Sequence, residues 1–107
     1  MEEHSTKIDW SFRAMDELTD IRDYLAAQTY DEKADAFVDD LLREVQKLEK
    51  NPGTFPFCRN QMLQEKGYRC INFKNYIIVY FIESDHVQIV AVMHARRNPK
   101  DFDEIAK

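Results

Sequence analysis

Residues 66–97 read KGYRCINFKNYIIVYFIESDHVQIVAVMHARR, and this stretch decides the fold. Within it the apolar residues alternate with a period of two, which indicates β-strands rather than helices. Two tight turns interrupt the pattern, Lys74-Asn75 and Ser84-Asp85, and Asn75 suits a turn because asparagine tolerates a positive φ. The predicted strands are 68–73, 76–83 and 86–93. Because the connections are so short, these strands should form an antiparallel meander.

Upstream of the meander, the sequence predicts a short strand over residues 7–10 and two amphipathic helices. Ser11 is a suitable N-cap for the first helix, the second should begin near Asp31, and the Asn-Pro-Gly sequence at residues 51–53 should end it. The apolar stripes are Ala14, Leu18, Ile21 and Leu25 in the first helix, and Ala34, Phe37, Val38, Leu41, Val45 and Leu48 in the second. We expect a helical hairpin that covers one face of the sheet and leaves the other face open to function.

The predicted fold class is therefore α+β, as a single domain over residues 1–107. Its element order is β-α-α-β-β-β, with the helical hairpin packed on a small antiparallel sheet. We also expect a single helical turn over residues 60–65 and a short C-terminal helix from Pro99 to Ile105.

The charge of the chain is unevenly distributed. The formal net charge is −5, which argues against a general nucleic-acid-binding protein. Residues 1–50 carry a formal charge of −7, whereas residues 51–107 carry +2. Any contact with a polyanion should therefore lie on the C-terminal half, while the acidic run of the N-terminal half is most simply a solvated helix face.

The two cysteines, Cys58 and Cys70, form neither a C-x-x-C motif nor a cluster with histidines. We interpret them as small apolar residues in a reducing cytoplasm, and we expect no metal and no cofactor. The N-terminal residues show no apolar core of a signal peptide, and the longest apolar run, 76–82, is too short to cross a bilayer. These features predict a cytoplasmic protein without membrane contact.

Basic side chains gather on the meander and just after it. Arg69 lies on the first meander strand, Lys74 lies in the first turn, and His94, Arg96 and Arg97 lie at the end of the third strand. Clustered arginines suit an anionic partner, because guanidinium groups bind phosphate or carboxylate in a bidentate manner. The alternative is that these cations only pair with the acidic helices. His94 could likewise transfer protons near neutral pH, or be no more than a polar residue at a strand end.

The order of these motifs resembles the RelE/ParE superfamily of bacterial toxins. In the meander the similar motifs are G-Y-R at 67–69, N-Y-x-I-x-Y at 75–80 and V-x-I-x-x-V-x-H-x-R-R at 87–97. The first helix, with A-x-x-x-L-x-x-I-x-x-Y-L at 14–25, and the Phe-Pro pair at residues 55 and 56 follow in the family's order. No single motif is specific, but the ordered combination covers the chain from Lys7 to Arg97.

This resemblance implies a toxin of a bacterial type II toxin–antitoxin module, with growth inhibition and plasmid stabilisation as associated roles. It implies a cognate antitoxin that wraps a helix and an extended segment over the toxin. RelE-like members cleave mRNA on the ribosome, whereas ParE-like members poison DNA gyrase. In the RelE-like scheme, Arg69 and Arg96 match two basic positions, and His94 falls near the histidine that a related type, YoeB, uses together with a glutamate. Ile77 and Phe102, however, stand where that scheme has an arginine and a tyrosine.

These substitutions favour a ParE-like inhibitor of DNA gyrase that acts by binding, with Arg69, Lys74, Arg96 and Arg97 as the target- or anion-binding residues. The first alternative is a ribosome-dependent mRNA endonuclease with His94, Arg96 and Arg69 as its catalytic residues. A nuclease needs proton transfer and cations around the phosphorane, and neither isoleucine nor phenylalanine supplies these. The second alternative is a non-toxic module that only binds an antitoxin.

Overall fold

The computed structural model describes residues 6–96, 102, 104 and 105. The strands in this part of the chain are β1 (Lys7–Trp10), β2 (Arg69–Phe73), β3 (Tyr76–Glu83) and β4 (His86–His94). The α-helices are α1 (Phe12–Gln28), α2 (Asp31–Gln46) and α3 (Gln61–Glu65), and a 3-10 turn, Lys47–Glu49, follows α2. Phe102, Glu104 and Ile105 are helical, whereas Pro99, where the C-terminal helix was predicted to begin, lies outside the described residues.

The four strands form one sheet in the order β1-β4-β3-β2. β2, β3 and β4 are antiparallel neighbours, as predicted. β1 adds a parallel edge beside β4, with Lys7 opposite His86 and Trp10 opposite Ile89, so the sheet is mixed. A parallel pairing needs a long connection, which the helical hairpin and the rest of the meander provide. The predicted α+β class, with a helical hairpin on a small sheet, is confirmed.

Both hairpin turns place a positive φ at their first residue. Lys74 has a φ of 53° and Ser84 a φ of 48°. A two-residue turn with a left-handed first position matches the right-handed twist of the flanking strands. The expectation that Asn75 would provide this conformation is therefore wrong, because the residue before it does so.

The helical hairpin covers one face of the sheet. The Ser11 side chain caps α1 by accepting from the Ala14 backbone N–H at 3.0 Å, and its hydroxyl donates to the Val90 carbonyl at 3.2 Å. This cap joins the start of α1 to β4, so the helix runs along that strand. The buried core on this face consists of Ala14, Leu41, Val45, Leu48, Ile71, Ile78, Tyr80, Val87, Ile89 and Val92.

A second apolar cluster covers part of the opposite face of the sheet. Its buried members are Cys58, Leu63, Val79, Ala91 and Met93, with Tyr68, Cys70, Ile77, Val90, Phe102 and Ile105 packed around them. Because successive side chains of a strand point to opposite faces, β3 and β4 present apolar residues to both faces of the sheet. Strands that are apolar on both sides need two covers. We expected this face of the sheet to be open. That expectation is wrong where α3 and the loop that precedes α3 cover the face.

Cys58 and Cys70 form a disulfide, with their sulfur atoms 2.04 Å apart. The Cys58 backbone N–H donates to the Tyr68 carbonyl and the Cys70 N–H to the Pro56 carbonyl, which lays residues 56–58 against the start of β2. The interpretation of the two cysteines as unlinked apolar residues is wrong. The separation of 12 residues matches no sequence motif for a disulfide. The pairing depends instead on the loop of residues 56–58 folding back onto the start of β2.

Among the described residues, no helix has the length and apolar character to cross a membrane.

Candidate functional site

A cleft opens where the helical hairpin meets the ends of β3 and β4. We call it the α1–β4 cleft, and its volume is about 580 Å³. Its polar and aromatic lining consists of Glu17, Asp20, Tyr24, Phe37, Lys74, Asn75, Tyr76 and His94. Two of the sequence-predicted residues, Lys74 and His94, therefore meet in one concave site.

His94 is held in place at the last position of β4. It pairs with Tyr76 across the sheet, and the two rings meet edge to face with centroids 5.3 Å apart. The Nδ1 atom of His94 accepts from the Arg96 backbone N–H at 3.1 Å. In a neutral ring the proton then resides on Nε2, so the exposed imidazole offers a donor at the edge of the cleft.

Lys74 carries its ammonium over aromatic rings. Its Nζ lies 5.2 Å from the centroid of Phe37 and 5.4 Å from that of Phe73. Phe37 in turn meets both Phe73 and Tyr76 edge to face. Cation–π contacts of this kind orient a flexible lysine without neutralising it. The cleft therefore presents a fixed but solvent-accessible positive charge.

The opposite wall of the cleft is acidic and comes from α1. Glu17 accepts from the Val92 backbone N–H at 2.9 Å through Oε1, and from Arg13 at 3.3 Å through Oε2. Val92 lies beyond the end of β1, so the Glu17 carboxylate occupies the place where a neighbouring strand would pair.

Tyr76, which also lines the cleft, has a perturbed phenol. Burial, with a smaller contribution from Tyr24, raises the pKa of Tyr76 above its ordinary value.

Arg69 lies far from this cleft. It is the first residue of β2, whereas the cleft residues Lys74 and Asn75 follow the last residue of that strand. Four residue steps separate it from Phe73, roughly 13 Å along the strand. Its guanidinium donates to the Phe55 carbonyl at 2.6 Å and lies 4.1 Å from the centroid of the Phe57 ring. Arg69 thus holds the loop before α3 against the sheet, and the structure does not bring it together with His94.

The remaining predicted cations follow β4. Arg96 is exposed in the turn directly after His94, and its backbone N–H is the donor to that ring. Arg97 lies outside the described residues. Lys74, His94 and Arg96 therefore share one end of the sheet, whereas Arg69 belongs to the other.

Ile77 and Phe102, which replace the arginine and tyrosine of the nuclease pattern, both line a second pocket on the far face of the sheet. They pack around the second apolar cluster, away from the α1–β4 cleft. Neither side chain can hold charge or transfer a proton. The far face is consequently apolar at the two positions where the nuclease scheme needs polar groups.

Glu17 and Tyr24 are cleft residues that the sequence analysis did not single out. Glu17 was counted only among the solvated acidic residues of α1. A helical wheel places it beside Leu18 and Ile21, on the flank of the apolar stripe, and this position distinguishes it from outward-facing Asp16. Within the part of the chain that the structure describes, no group of three histidine, cysteine or acidic side chains is arranged to hold a metal ion.

A family model matches most of this chain, and a solved structure shares its fold. The family model described as the ParE toxin of the type II toxin-antitoxin system, parDE, matches residues 8–99. A solved structure of the chromosomal ParDE TA system from P. aeruginosa superimposes with a TM-score of 0.74 at 20% identity, covering 87% of this chain and 99% of that chain. At this identity the structural likeness concerns the fold alone. None of the curated protein sequences matches this chain.

Proposed function

Because the chain belongs to the ParE toxin family of type II toxin–antitoxin systems, we propose that it inhibits DNA gyrase by binding and that a cognate antitoxin neutralises it. The family match carries this proposal, since residues 8–99 include α1, α2 and the whole meander. We further propose that the chain meets both partners in the bacterial cytoplasm.

The arrangement of the polar residues supports binding rather than mRNA cleavage. Arg69 and His94 lie at opposite ends of the sheet, so they cannot surround one phosphate together. Ile77 and Phe102 meet in an apolar pocket instead of adding a cation and a phenol. Losing one electrostatic contact to a transition state costs about 2.7–4 kcal/mol, and here several are missing together.

We assign the target contact to the end of the sheet that carries Lys74 and Arg96, and we include Arg97, the next residue in the sequence. Lys74 and Arg96 are exposed. Lys74 lines the α1–β4 cleft together with His94, and Arg96 lies in the turn after His94. Exposed, oriented cations steer an acidic or nucleic-acid-bound partner and fix its register. Arg69 has a supporting role in this proposal, because its guanidinium is engaged by Phe55 and Phe57.

The test is a gyrase supercoiling assay with the purified chain. We expect micromolar protein to block supercoiling, and an equimolar amount of the co-purified antitoxin to restore it. A ribosome-dependent mRNA cleavage assay with the same preparation serves as the matched control and should show no cleavage. Unchanged supercoiling at micromolar excess contradicts the gyrase proposal, and cleavage of ribosome-bound mRNA would replace it with the nuclease alternative.

A further inference from the structure

A second pocket lies over the Cys58–Cys70 disulfide, on the face of the sheet opposite the α1 helix. We call it the disulfide pocket, and its volume is about 490 Å³. Both cysteines line it, together with the polar side chains of Arg59, Asn60 and Asn72. Neither the target contact nor the antitoxin proposal uses this pocket.

We propose that the Cys58–Cys70 disulfide is a thiol–disulfide exchange site and that the disulfide pocket admits a small anionic thiol of the glutathione type. The pocket volume falls within the range of about 300–1,000 Å³ that is typical of small-molecule sites. Arg59 is exposed beside Cys58 and supplies a positive charge for the carboxylates of such a thiol. Asn72 adds an amide donor and acceptor for a peptide-like ligand, and Asn60, whose side-chain oxygen accepts from the Leu63 backbone N–H, adds amide donors.

The exposure of the two sulfur-bearing residues decides where the reaction begins. Cys58 is 1% exposed, whereas Cys70 is partly exposed. The incoming thiolate therefore attacks Sγ of Cys70, the protein disulfide breaks, and Cys58 leaves as a thiolate that takes a proton from water. A second thiol attacks the mixed disulfide on Cys70, which releases the Cys70 thiol and the small-molecule disulfide. In the reverse direction that small-molecule disulfide is the two-electron oxidant.

The reduced chain keeps its fold, because other contacts hold the same loop. Arg69 still donates to the Phe55 carbonyl, the Cys70 backbone N–H to the Pro56 carbonyl, and Tyr80 to the Pro52 carbonyl. The disulfide lies in the second apolar cluster and not in the core beneath the helical hairpin. Exchange therefore loosens this loop while the contacts named above keep it on the sheet.

The experiment measures the rate at which the native, oxidised chain is reduced by glutathione and by neutral 2-mercaptoethanol. We expect both rates to rise with thiol concentration. Arg59→Gln should slow reduction by glutathione about fivefold, as removal of one nearby, partly screened charge predicts. It should leave the reaction with 2-mercaptoethanol unchanged. Arg43→Gln, on the outer face of α2, is the matched control and should change neither rate.

Acid quenching followed by peptide mass spectrometry should locate the trapped mixed disulfide on Cys70. Three results overturn the proposal. The first is a mixed disulfide on Cys58. The second is an equal effect of Arg59→Gln on both thiols. The third is a reduction rate that equals the rate of global unfolding and does not depend on the thiol, since the disulfide would then react only in the unfolded chain.

Discussion

The hydroxyl of Tyr80, which is fully buried, donates a 2.8 Å hydrogen bond to the Pro52 carbonyl. Burial raises the pKa of this phenol from 10.0 to about 12. A group whose pKa is higher in the folded state contributes stability below its unfolded pKa and loses it as the pH rises through the folded pKa. We therefore expect the free energy of unfolding to fall by about 2 kcal/mol between pH 10 and 12, measured by urea titration at each pH.

Tyr80→Phe is the control for this pH dependence. The variant should be less stable at neutral pH by about 1–3 kcal/mol, because the Pro52 carbonyl loses its donor. It should also lose the additional fall in stability above pH 10, since phenylalanine does not ionise. A fall of equal size in both proteins would assign the effect to other groups.

The proposed target contact is also a matter of single residues. Lys74→Gln and Arg96→Gln should each weaken gyrase inhibition about tenfold, because each removes a charge-assisted contact while leaving the buried cores untouched. Arg43→Gln, which loses only an exposed ion pair with Asp40, should inhibit as the unaltered chain does. The supercoiling assay measures all three variants, and equal inhibition by all of them would contradict the assignment of the contact.

At this scale the sequence identified the residue types but not all of their positions. His94 and Lys74 share a cleft because the β3–β4 register places His94 opposite Tyr76, next to the Lys74 turn. Arg69 carries the same charge and lies on the same sheet, but it sits at the other end of β2. The residue pattern alone does not show which loop carbonyl a guanidinium will reach.

Among the elements, the free edge of β4 depends on a side chain of α1. β1 pairs with β4 only as far as Ile89, and beyond it Glu17 accepts from the Val92 N–H. We expect Glu17→Ala to lower the free energy of unfolding by about 1–3 kcal/mol, because this backbone donor loses its partner. Glu17→Gln retains an acceptor oxygen and should be less destabilising. Asp16→Ala, the exposed neighbour, should change little, and an equal loss from Asp16→Ala in urea unfolding would disprove the role of the carboxylate.

The β3–β4 turn offers a test of backbone conformation. Ser84 has a φ of 48°, which is unfavourable for a side chain with a Cβ atom. Ser84→Gly should therefore stabilise the protein by about 0.5–1 kcal/mol in thermal or urea unfolding. Asp85, the next residue, is not in the left-handed region, so Asp85→Gly should destabilise it. Identical signs for the two substitutions would contradict the turn geometry.

The elements themselves could be predicted because their signals are local. Ser11 before the apolar stripe of α1, and Asn60 before α3, both act as N-caps in the structure. β3 was predicted with its observed bounds, since its apolar run lies between two turns. The left-handed residue of each turn was not predictable in this way. Lysine and serine occupy the position although their intrinsic preference opposes it, because the twist of the paired strands selects the turn.

At the scale of the whole molecule, the features that the sequence did not predict are the long-range ones. The parallel pairing of β1 with β4 joins residues about 80 positions apart, and no periodicity encodes it. The second cover of the sheet depends on the loop before α3, which is distant in sequence from β4, and on Phe102 and Ile105, which follow β4 in the chain. Alternation in β3 and β4 showed that these strands were apolar, but it did not show that two separate clusters would bury them.

The disulfide is the long-range feature that contributes most directly to stability. It closes a loop over a sequence separation of 12 residues, and a cross-link of this length removes about 3 kcal/mol of chain entropy from the unfolded state. We expect a reducing agent to lower the free energy of unfolding of the native chain by this amount in urea titrations. The Cys58→Ser/Cys70→Ser variant should not respond to the reducing agent, because it has no cross-link to lose.

A chain whose stability is unaffected by reduction would contradict this expectation, since the unfolded state would then gain no conformational freedom.

Hydrogen exchange distinguishes local from global effects of the same reduction. Reduction should speed exchange of the Cys58 and Cys70 amides, which donate to the Tyr68 and Pro56 carbonyls beside the disulfide, by more than it speeds exchange in β4. The reason is that β4 is an inner strand between β1 and β3, where global unfolding exposes its amides. Equal acceleration at both sites would show that the cross-link stabilises the molecule as one unit and not through its loop.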